Sequence, residues 1–142
     1  MKAKAVCVMR TDLRNSEGFK VPKGKLIAQG GHAFVGLLTK LFRVDTSLGE
    51  DWDNVVWELD MLKDSPLYAW LTGKFTKVVL AVDSEKELLD IWTKATKAGL
   101  NTVFITDSGE TEFGKPTHTC IGIGPAWEED IDKITGHLKG FR

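Results

Sequence analysis

Residues 76–106, TKVVLAVDSEKELLDIWTKATKAGLNTVFIT, contain a strand, a helix and a second strand in succession. Thr76 to Val82 is a β-branched apolar run, and Asn101 to Thr106 is another. Between them, Ser84-Glu85-Lys86-Glu87 has the spacing of a capping box, which begins a helix, and Gly99 ends that helix. Because this alternation requires a parallel crossover, the stretch places the chain among the α/β folds.

The remaining sequence supplies further elements of the same architecture. Apolar runs at 3–9 and 118–123 predict two more strands, and Pro125-Ala126-Trp127 predicts the start of a last helix. Residues 24–43 predict a long helix, in which Gly30-Gly31 costs stability and suggests a close approach of another backbone or of a ligand. We therefore expect a three-layer α/β sandwich with a mixed four-stranded sheet flanked by helices. The long loop 107–117 between the last two strands is a natural place for a site.

The chain has 142 residues, the length of one domain, and we predict a single domain over residues 1–142. Residues 44–66 carry seven acidic residues and one lysine, and 44–70 is predicted to be an acidic helical insertion. The apolar side chains with helical spacing in it are Trp52, Val55, Val56, Leu59 and Leu62. Ser65-Pro66 then begins a second short helix. The insertion covers a surface, extends a dimer contact or alters which substrate is accepted, or it is a decorated surface loop with a small core of its own.

Charge and composition narrow the class of protein. A net charge of −1 argues against a general nucleic-acid binder, but residues 1–43 have a balance of +7 and could form a local anion-binding patch. Because no apolar run is long enough for a membrane span or a signal core, we expect a cytoplasmic protein with no membrane partner. Cys7 and Cys120 lie in strand-like runs and are expected in the core. The histidines and cysteines lack metal-ligand spacing, so we expect no metal.

Two segments carry residues suited to chemistry. Lys25, Gln29 and His32 recur at i, i+4 and i+7, which places them on one face of the first helix. A lysine in the first helical turn is unfavourable unless an anion lies nearby, although a solvated lysine, a surface glutamine and a core histidine would give the same pattern. Asp107, at a strand end, is either a turn former that accepts backbone N–H groups or a carboxylate that orients water.

Taken together, the chain resembles the archaeal and eukaryotic type of peptidyl-tRNA hydrolase, the second of two structurally distinct families. Seven motifs occur in family order: Arg10-Thr11-Asp12-Leu13, the stretch from Gly24 to Ala33, Lys77 to Val82, Ala98-Gly99-Leu100, Asp107 to Thr111, Thr119 to Pro125, and Ile131 to Lys139. They cover most of the chain outside 44–70. No single motif is decisive, but seven in order are highly specific.

The resemblance implies a homodimeric hydrolase that cleaves the ester between a peptide and the 3′ end of tRNA and so recycles tRNA during translation. It implies no metal and no organic cofactor. The family's functional positions fall on Lys25, Gln29, His32, Asp107, Thr111 and Thr119. Within that framework we expect tRNA backbone contacts from Arg14, Lys20, Lys23 and Lys115, and stacking of Phe19 on a terminal base.

Four departures from the family pattern leave other functions open. Glu110 stands where the family usually has arginine, Glu112 where it has glutamine, and Pro116 where it has glycine. The acidic segment 44–66 is also longer than usual. Because acids beside a polyanionic substrate weaken its binding, one alternative is a non-catalytic relative that binds tRNA or a protein. Another is a hydrolase of a different small ester or amide.

Overall fold

A computed structural model describes residues 1–47 and 53–142. The strands are β1 (Ala3–Arg10), β2 (Arg43–Val44), β3 (Trp57–Glu58), β4 (Lys77–Val82), β5 (Thr102–Asp107), β6 (Thr117–Trp127) and β7 (Lys139–Gly140). The helices are α1 (Lys23–Thr39), α2 (Pro66–Thr72), α3 (Glu85–Lys97) and α4 (Glu128–Thr135). In the described part of the chain, no helix has the length and hydropathy that crossing a membrane requires.

The main sheet has the strand order β5-β6-β1-β4-β7. β1 pairs with β4 in parallel and with β6 antiparallel, so the sheet is mixed, as predicted. It has five strands rather than the predicted four, because β7 adds to β4 through Leu80↔Gly140 and Ala81↔Lys139. A two-residue strand is too short to show a periodicity in sequence, which is why the prediction missed it.

Strand β1 shows why the molecule has three layers. Its side chains alternate between the two faces of the sheet, and both faces are buried. Val6 and Val8 belong to a core with apolar residues of α3 and α4, whereas Cys7 and Met9 pack on the side of α1. The predicted sandwich is confirmed, and Cys7 and Cys120 are buried free thiols in its core, as expected.

The acidic segment is where the helix prediction is wrong. Within residues 53–65 no helix forms; β3 pairs instead with β2 in a short antiparallel ladder, Arg43↔Glu58 and Val44↔Trp57. Val55 and Val56 next to Trp57 are strand-forming residue types, and this preference prevails over the helical spacing of the apolar positions. Trp52 lies outside the described residues. The second helix of the segment is confirmed, since Ser65 Oγ accepts the Tyr68 N–H at 3.2 Å.

Two other boundaries differ from the prediction. Helix α1 ends at Thr39 instead of residue 43, because the chain then extends into β2. Pro125-Ala126-Trp127 continue β6 rather than beginning a helix, since Trp127 and Ala126 still pair with β1. Strand β6 therefore runs for 11 residues, against 8 in β1.

The close approach expected at Gly30-Gly31 occurs elsewhere. A Cβ at Gly30 or Gly31 would meet nothing within 4 Å, whereas one at Gly122 would lie 2.9 Å from Leu37 Cγ and 3.0 Å from the Ala33 carbonyl oxygen. At this point helix α1 can therefore approach β6 closely only because Gly122 has no side chain.

We expect Gly122→Ala to lower the free energy of unfolding by about 1–3 kcal/mol through overpacking. Gly30→Ala is the matched control and should raise it by about 0.5–1 kcal/mol, because it adds helix propensity in open space. Urea titrations of both variants measure the difference. Equal effects of the two substitutions would show that the packing of α1 on β6 is not the constraint.

Candidate active site

The first turn of α1 and the end of β5 meet at one edge of the sheet. Lys25 Nζ donates to Asp107 Oδ1 at 2.6 Å and to Thr111 Oγ1 at 3.0 Å. The Lys25 and Asp107 side chains are 17% and 10% exposed, so this ion pair is sheltered but still open to solvent. The anion that a lysine in the first helical turn requires is therefore the carboxylate of Asp107.

A buried hydrogen-bond chain extends inward from Asp107. Gln29 Nε2 donates to Asp107 Oδ1 at 3.1 Å, and Thr119 Oγ1 donates to Gln29 Oε1 at 2.6 Å. Both side chains are buried. Because the Thr119 hydroxyl donates to the amide oxygen of Gln29, the amide nitrogen of Gln29 must face the Asp107 carboxylate. The orientation of the Gln29 side chain is therefore fixed.

A backbone N–H group in the turn after β5 also contacts Asp107. The Gly109 N–H donates to Asp107 Oδ2 at 2.9 Å. Gly109 has φ +87°, and a Cβ there would lie 2.2 Å from the Lys115 carbonyl carbon, so only glycine fits this turn. Asp107 thus accepts a backbone N–H, as a turn former does, and its other oxygen faces Lys25 and Gln29.

The environment of Asp107 lowers its pKa. Burial alone would raise the pKa of the carboxyl group, but hydrogen bonds from Lys25 and Gly109, with the positive charge of Lys25, outweigh burial and leave it below the ordinary value. The carboxylate is therefore ionised throughout the neutral range.

Stability should depend on pH through this group. The folded-state pKa is lower than the unfolded value of about 3.9, so ionised Asp107 stabilises the fold above that pH, and the contribution is lost as the pH falls through the folded-state pKa. We expect the difference in unfolding free energy between the native protein and Asp107→Asn to be constant from about pH 7 to 5 and to shrink below about pH 4. Denaturant titrations across this range measure it, and shrinkage already between pH 7 and 5 would contradict the lowered pKa.

His32 does not join the cluster. It is exposed and has no hydrogen-bond partner among the described residues, so it is not the core histidine that one interpretation of the sequence made it. Seven residues of helix place it roughly 10 Å along the axis from Lys25. Helical spacing alone could not show that the loop after β5 reaches only the first two turns of α1.

The residues expected to contact tRNA lie on two touching loops and at the first residue of α1. Arg14, Lys20, Lys23 and Lys115 are exposed, and within residues 1–47 and 53–142 none of them forms an ion pair. The loops meet where the Ser16 N–H donates to the Glu112 carbonyl oxygen at 2.7 Å. Phe19 is exposed on the first loop rather than packed as an anchor.

Two residues that were not among the predicted site residues shape this region, although Arg10 begins the first of the family motifs. Phe113 is buried beneath the loop with its ring centroid 5.8 Å from Lys25 Nζ. Arg10 donates hydrogen bonds to both carboxylate oxygens of Asp12, at 2.8 and 2.9 Å, and a third to the His118 carbonyl oxygen at 2.9 Å. A lone aromatic residue in a polar loop was the available signal for Phe113.

The described residues bring together no group of three His, Cys, Asp or Glu side chains able to hold a metal.

Comparison with known proteins identifies the chain. The family model described as Peptidyl-tRNA hydrolase PTH2 matches residues 3–141. The chain belongs to this family. The resemblance seen in the sequence is confirmed, and with it the enzyme class, a hydrolase of the ester bond in peptidyl-tRNA.

Individual relatives agree with the family model. A peptidyl-tRNA hydrolase of Sulfurisphaera tokodaii is 40% identical over 139 residues, 98% of each chain. One from Methanocaldococcus jannaschii is 39% identical over 138 residues, 96% of this chain and 97% of the relative. Among solved structures, an Agrobacterium protein of unknown function has a TM-score of 0.53 at 12% identity, covering 100% of this chain and 99% of its own. That last likeness shows the fold alone.

Proposed function

We propose that the chain hydrolyses peptidyl-tRNA at the cluster formed by Lys25, Asp107 and Thr111, with Gln29 and Thr119 as positioning residues. The observation that carries this proposal is the sheltered Lys25–Asp107 pair, 2.6 Å long and open to solvent on one side. Ester hydrolysis needs a water that is held for attack and a positive group that stabilises the oxyanion. A carboxylate and an ammonium group in contact can supply the two together.

Asp107 has spare capacity to hold the attacking water. A carboxylate offers about four acceptor positions. Oδ1 accepts from Lys25 and Gln29, and Oδ2 accepts from the Gly109 N–H, so one position on Oδ2 remains. A water bound there is oriented by an ionised carboxylate that can take up its proton as the tetrahedral intermediate forms.

Lys25 is placed to stabilise the negative charge that develops on the oxyanion. Its ammonium group has three protons, of which one is hydrogen-bonded to Asp107 and one to Thr111. The third is free to meet the oxyanion as it develops. Thr111 accepts from Lys25, and its hydroxyl proton can pass to the leaving ribose oxygen as Thr111 takes a proton from Lys25. Lys25 is then recharged by the proton that Asp107 took from the water. His32, exposed and apart from these groups, takes no part in the bond-breaking step.

The substrate's tRNA portion is held by Arg14, Lys20, Lys23 and Lys115, and Phe19 stacks on a terminal base. The support is electrostatic, since these four exposed cations lack ion-pair partners in the described ranges. Arg14, Lys20 and Lys115 sit on the two touching loops, and Lys23 is the first residue of α1. Glu110 is exposed on the second loop and offsets part of this charge. Binding should therefore be salt-dependent but weaker than in a relative with a cation at that position.

The chain acts as a homodimer, and the outer face of α1 supports this. Residues 26–39 contain no Lys, Arg, Asp or Glu. Ile27 and Val35 on the outer face are 74% and 61% exposed, with Gly24, Ala28 and Gly31 between and beside them. An uncharged helix face with exposed Ile and Val side chains favours a partner that covers it, and two copies of this stripe can pack closely because its central residues are small. The enzyme works in the cytoplasm, where translation takes place.

Val35→Asp should convert a dimer into a monomer of 15.8 kDa, because a charge would be buried in the helix contact. Light scattering after size exclusion measures the mass. Leu89→Asp, at an exposed position of α3, is the matched control and should leave the dimer intact. A native protein that is monomeric at every concentration, or a Val35→Asp variant that stays dimeric, would contradict this interface.

The choice between peptidyl-tRNA and a small ester is tested by comparing two substrates with the same acyl group. We expect N-acetyl-aminoacyl-tRNA to be cleaved with a much higher kcat/KM than the methyl ester of the same N-acetyl amino acid. Added salt should lower kcat/KM for the tRNA substrate and leave that for the methyl ester unchanged. Equal kcat/KM values for the two substrates, independent of salt, would support a small-ester hydrolase instead.

A further inference from the structure

Strand β6 contains a β-bulge at Thr119. The register of β5 and β6 pairs Ile105 with Cys120, but the next pair along is Thr106 with His118. Thr119 therefore has no register partner on β5 and is the extra residue of the bulge. A bulge bends its strand and can re-aim a side chain, and bulges are common next to active sites.

The bulge decides which face of the sheet the Thr119 side chain occupies. Side chains alternate along a strand, and Ile121 and Ile123 belong to the core on the side of α3 and α4. Regular alternation would place Thr119 on that same side. Instead, Thr119 Oγ1 donates to Gln29 Oε1 of α1 at 2.6 Å, and both side chains are buried. Without the bulge, the Thr119 hydroxyl would face away from α1.

Arg10 holds the backbone at the bulge. Its Nη1 donates to the carbonyl oxygen of His118, the residue before Thr119, at 2.9 Å. Its Nε and Nη2 donate to the two carboxylate oxygens of Asp12 at 2.8 and 2.9 Å. Because a guanidinium group is planar and rigid, the two bonds to Asp12 fix the direction of the third. The Arg10 side chain is only 14% exposed, so this link between the end of β1 and the bulge is sheltered from solvent.

The position of Arg10 gives it no direct role toward the substrate. Its charge is compensated by Asp12, and Glu85 Oε2 lies 3.9 Å from Nη1. All three of its nitrogens are engaged, and within the described residues it has no hydrogen bond to Lys25 or Asp107. Any effect of Arg10 on the reaction must therefore pass through the groups that it holds.

We infer that Arg10 is a positioning residue for ester hydrolysis, with Asp12 as the group that orients it. Arg10 holds the bulge that aims Thr119 at Gln29, and Gln29 in turn orients Asp107. This inference rests on the proposed function and deepens it, because it extends the chain of contacts behind the carboxylate as far as the end of β1. A bulge formed by pairing with a distant strand has no local pattern in the sequence.

The test is a double-mutant cycle on the rate of N-acetyl-aminoacyl-tRNA cleavage, measured by single turnover with saturating enzyme so that tRNA affinity does not enter. Arg10→Met should lower the rate about 10- to 100-fold, as for the loss of hydrogen bonds from a charged group. Thr119→Val removes the hydroxyl with little change in shape and should lower the rate by a similar factor. If Arg10 acts through Thr119, adding Arg10→Met to Thr119→Val should lower the rate no further.

Two further variants separate positioning from the loss of one charge. Arg10→Lys keeps the charge, but an ammonium group cannot form the fork to Asp12 together with the bond to the carbonyl oxygen. Its rate should lie between those of the native protein and Arg10→Met, and it takes the place of Arg10→Met in the cycle if that variant does not fold. Arg43→Met removes an arginine that pairs with Asp60 and Glu58 beside the β2–β3 ladder, and it should keep the native rate.

The outcomes separate this inference from the proposed function. A native protein that does not cleave the ester overturns both. If Thr119→Val lowers the rate but Arg10→Met does not, or if the two losses multiply in the double variant, Arg10 does not act through Thr119, and the proposed function stands. A native rate in Thr119→Val would also overturn the inference, because the bulge would then have no part in the reaction.

Discussion

Asp107→Asn should lower kcat for peptidyl-tRNA hydrolysis by at least about 100-fold, the usual contribution of a positioned acid–base group. The asparagine side chain can still meet the Gly109 N–H through its amide oxygen, so the turn is retained. It cannot accept the proton of an attacking water, and its amide nitrogen cannot accept from both Lys25 and Gln29. The chemistry should therefore suffer far more than tRNA binding.

Asp83→Asn is a suitable control for this substitution. Asp83 also follows the end of a strand of the main sheet and also accepts a hydrogen bond, from Thr11 Oγ1 at 2.8 Å, but it lies outside the cluster. Its variant should keep native kcat. An Asp107→Asn variant with more than about a third of native kcat would remove the carboxylate from the mechanism.

Lys25→Met should lower kcat by about 100- to 1000-fold, the range found when one stabilising donor for an oxyanion is removed. Methionine keeps the apolar stem that lies near Phe113 but provides no proton for the oxyanion or for Thr111. Lys86→Met, which breaks an exposed ion pair with Asp90 on α3, controls for loss of one surface charge. Native kcat in Lys25→Met would exclude the ammonium group from the reaction.

Loss of stability could mimic loss of activity in either single variant, because each leaves a sheltered charge without its partner. The double variant Lys25→Met/Asp107→Asn separates the two effects. We expect it to unfold at a higher temperature than either single variant while remaining as inactive as the worse of them. A double variant that recovers activity together with stability would show that the pair serves the fold alone.

The fold could be predicted from sequence where the elements are long. The strand–helix–strand unit and the caps at Ser84 and Gly99 are local signals, and the structure follows them. The two-residue strands β2, β3 and β7 are formed by pairing with distant partners, as Trp57 does with Val44. Such pairings depend on tertiary contacts that no local pattern contains.

The candidate site was only partly predictable for a similar reason. Helical spacing correctly placed Lys25 and Gln29 on one face but also included His32, since periodicity cannot show how far a distant loop extends along a helix. The link to Asp107 and Thr119 came from family resemblance. The roles of Gly109 and Phe113 depend on the path of the loop after β5, which its sequence of small and polar residues does not specify.

The central claim is that peptidyl-tRNA is cleaved at the Lys25–Asp107 pair. The most direct test is a single-turnover assay in which excess enzyme meets N-acetyl-aminoacyl-tRNA, with the native protein and the Lys25→Met/Asp107→Asn variant compared at a temperature where both are folded. Excess enzyme above the dissociation constant removes differences in tRNA affinity from the observed rate. We predict rapid ester cleavage by the native protein and a rate close to spontaneous hydrolysis with the variant. Equal cleavage by both proteins, or none by either, would contradict the account.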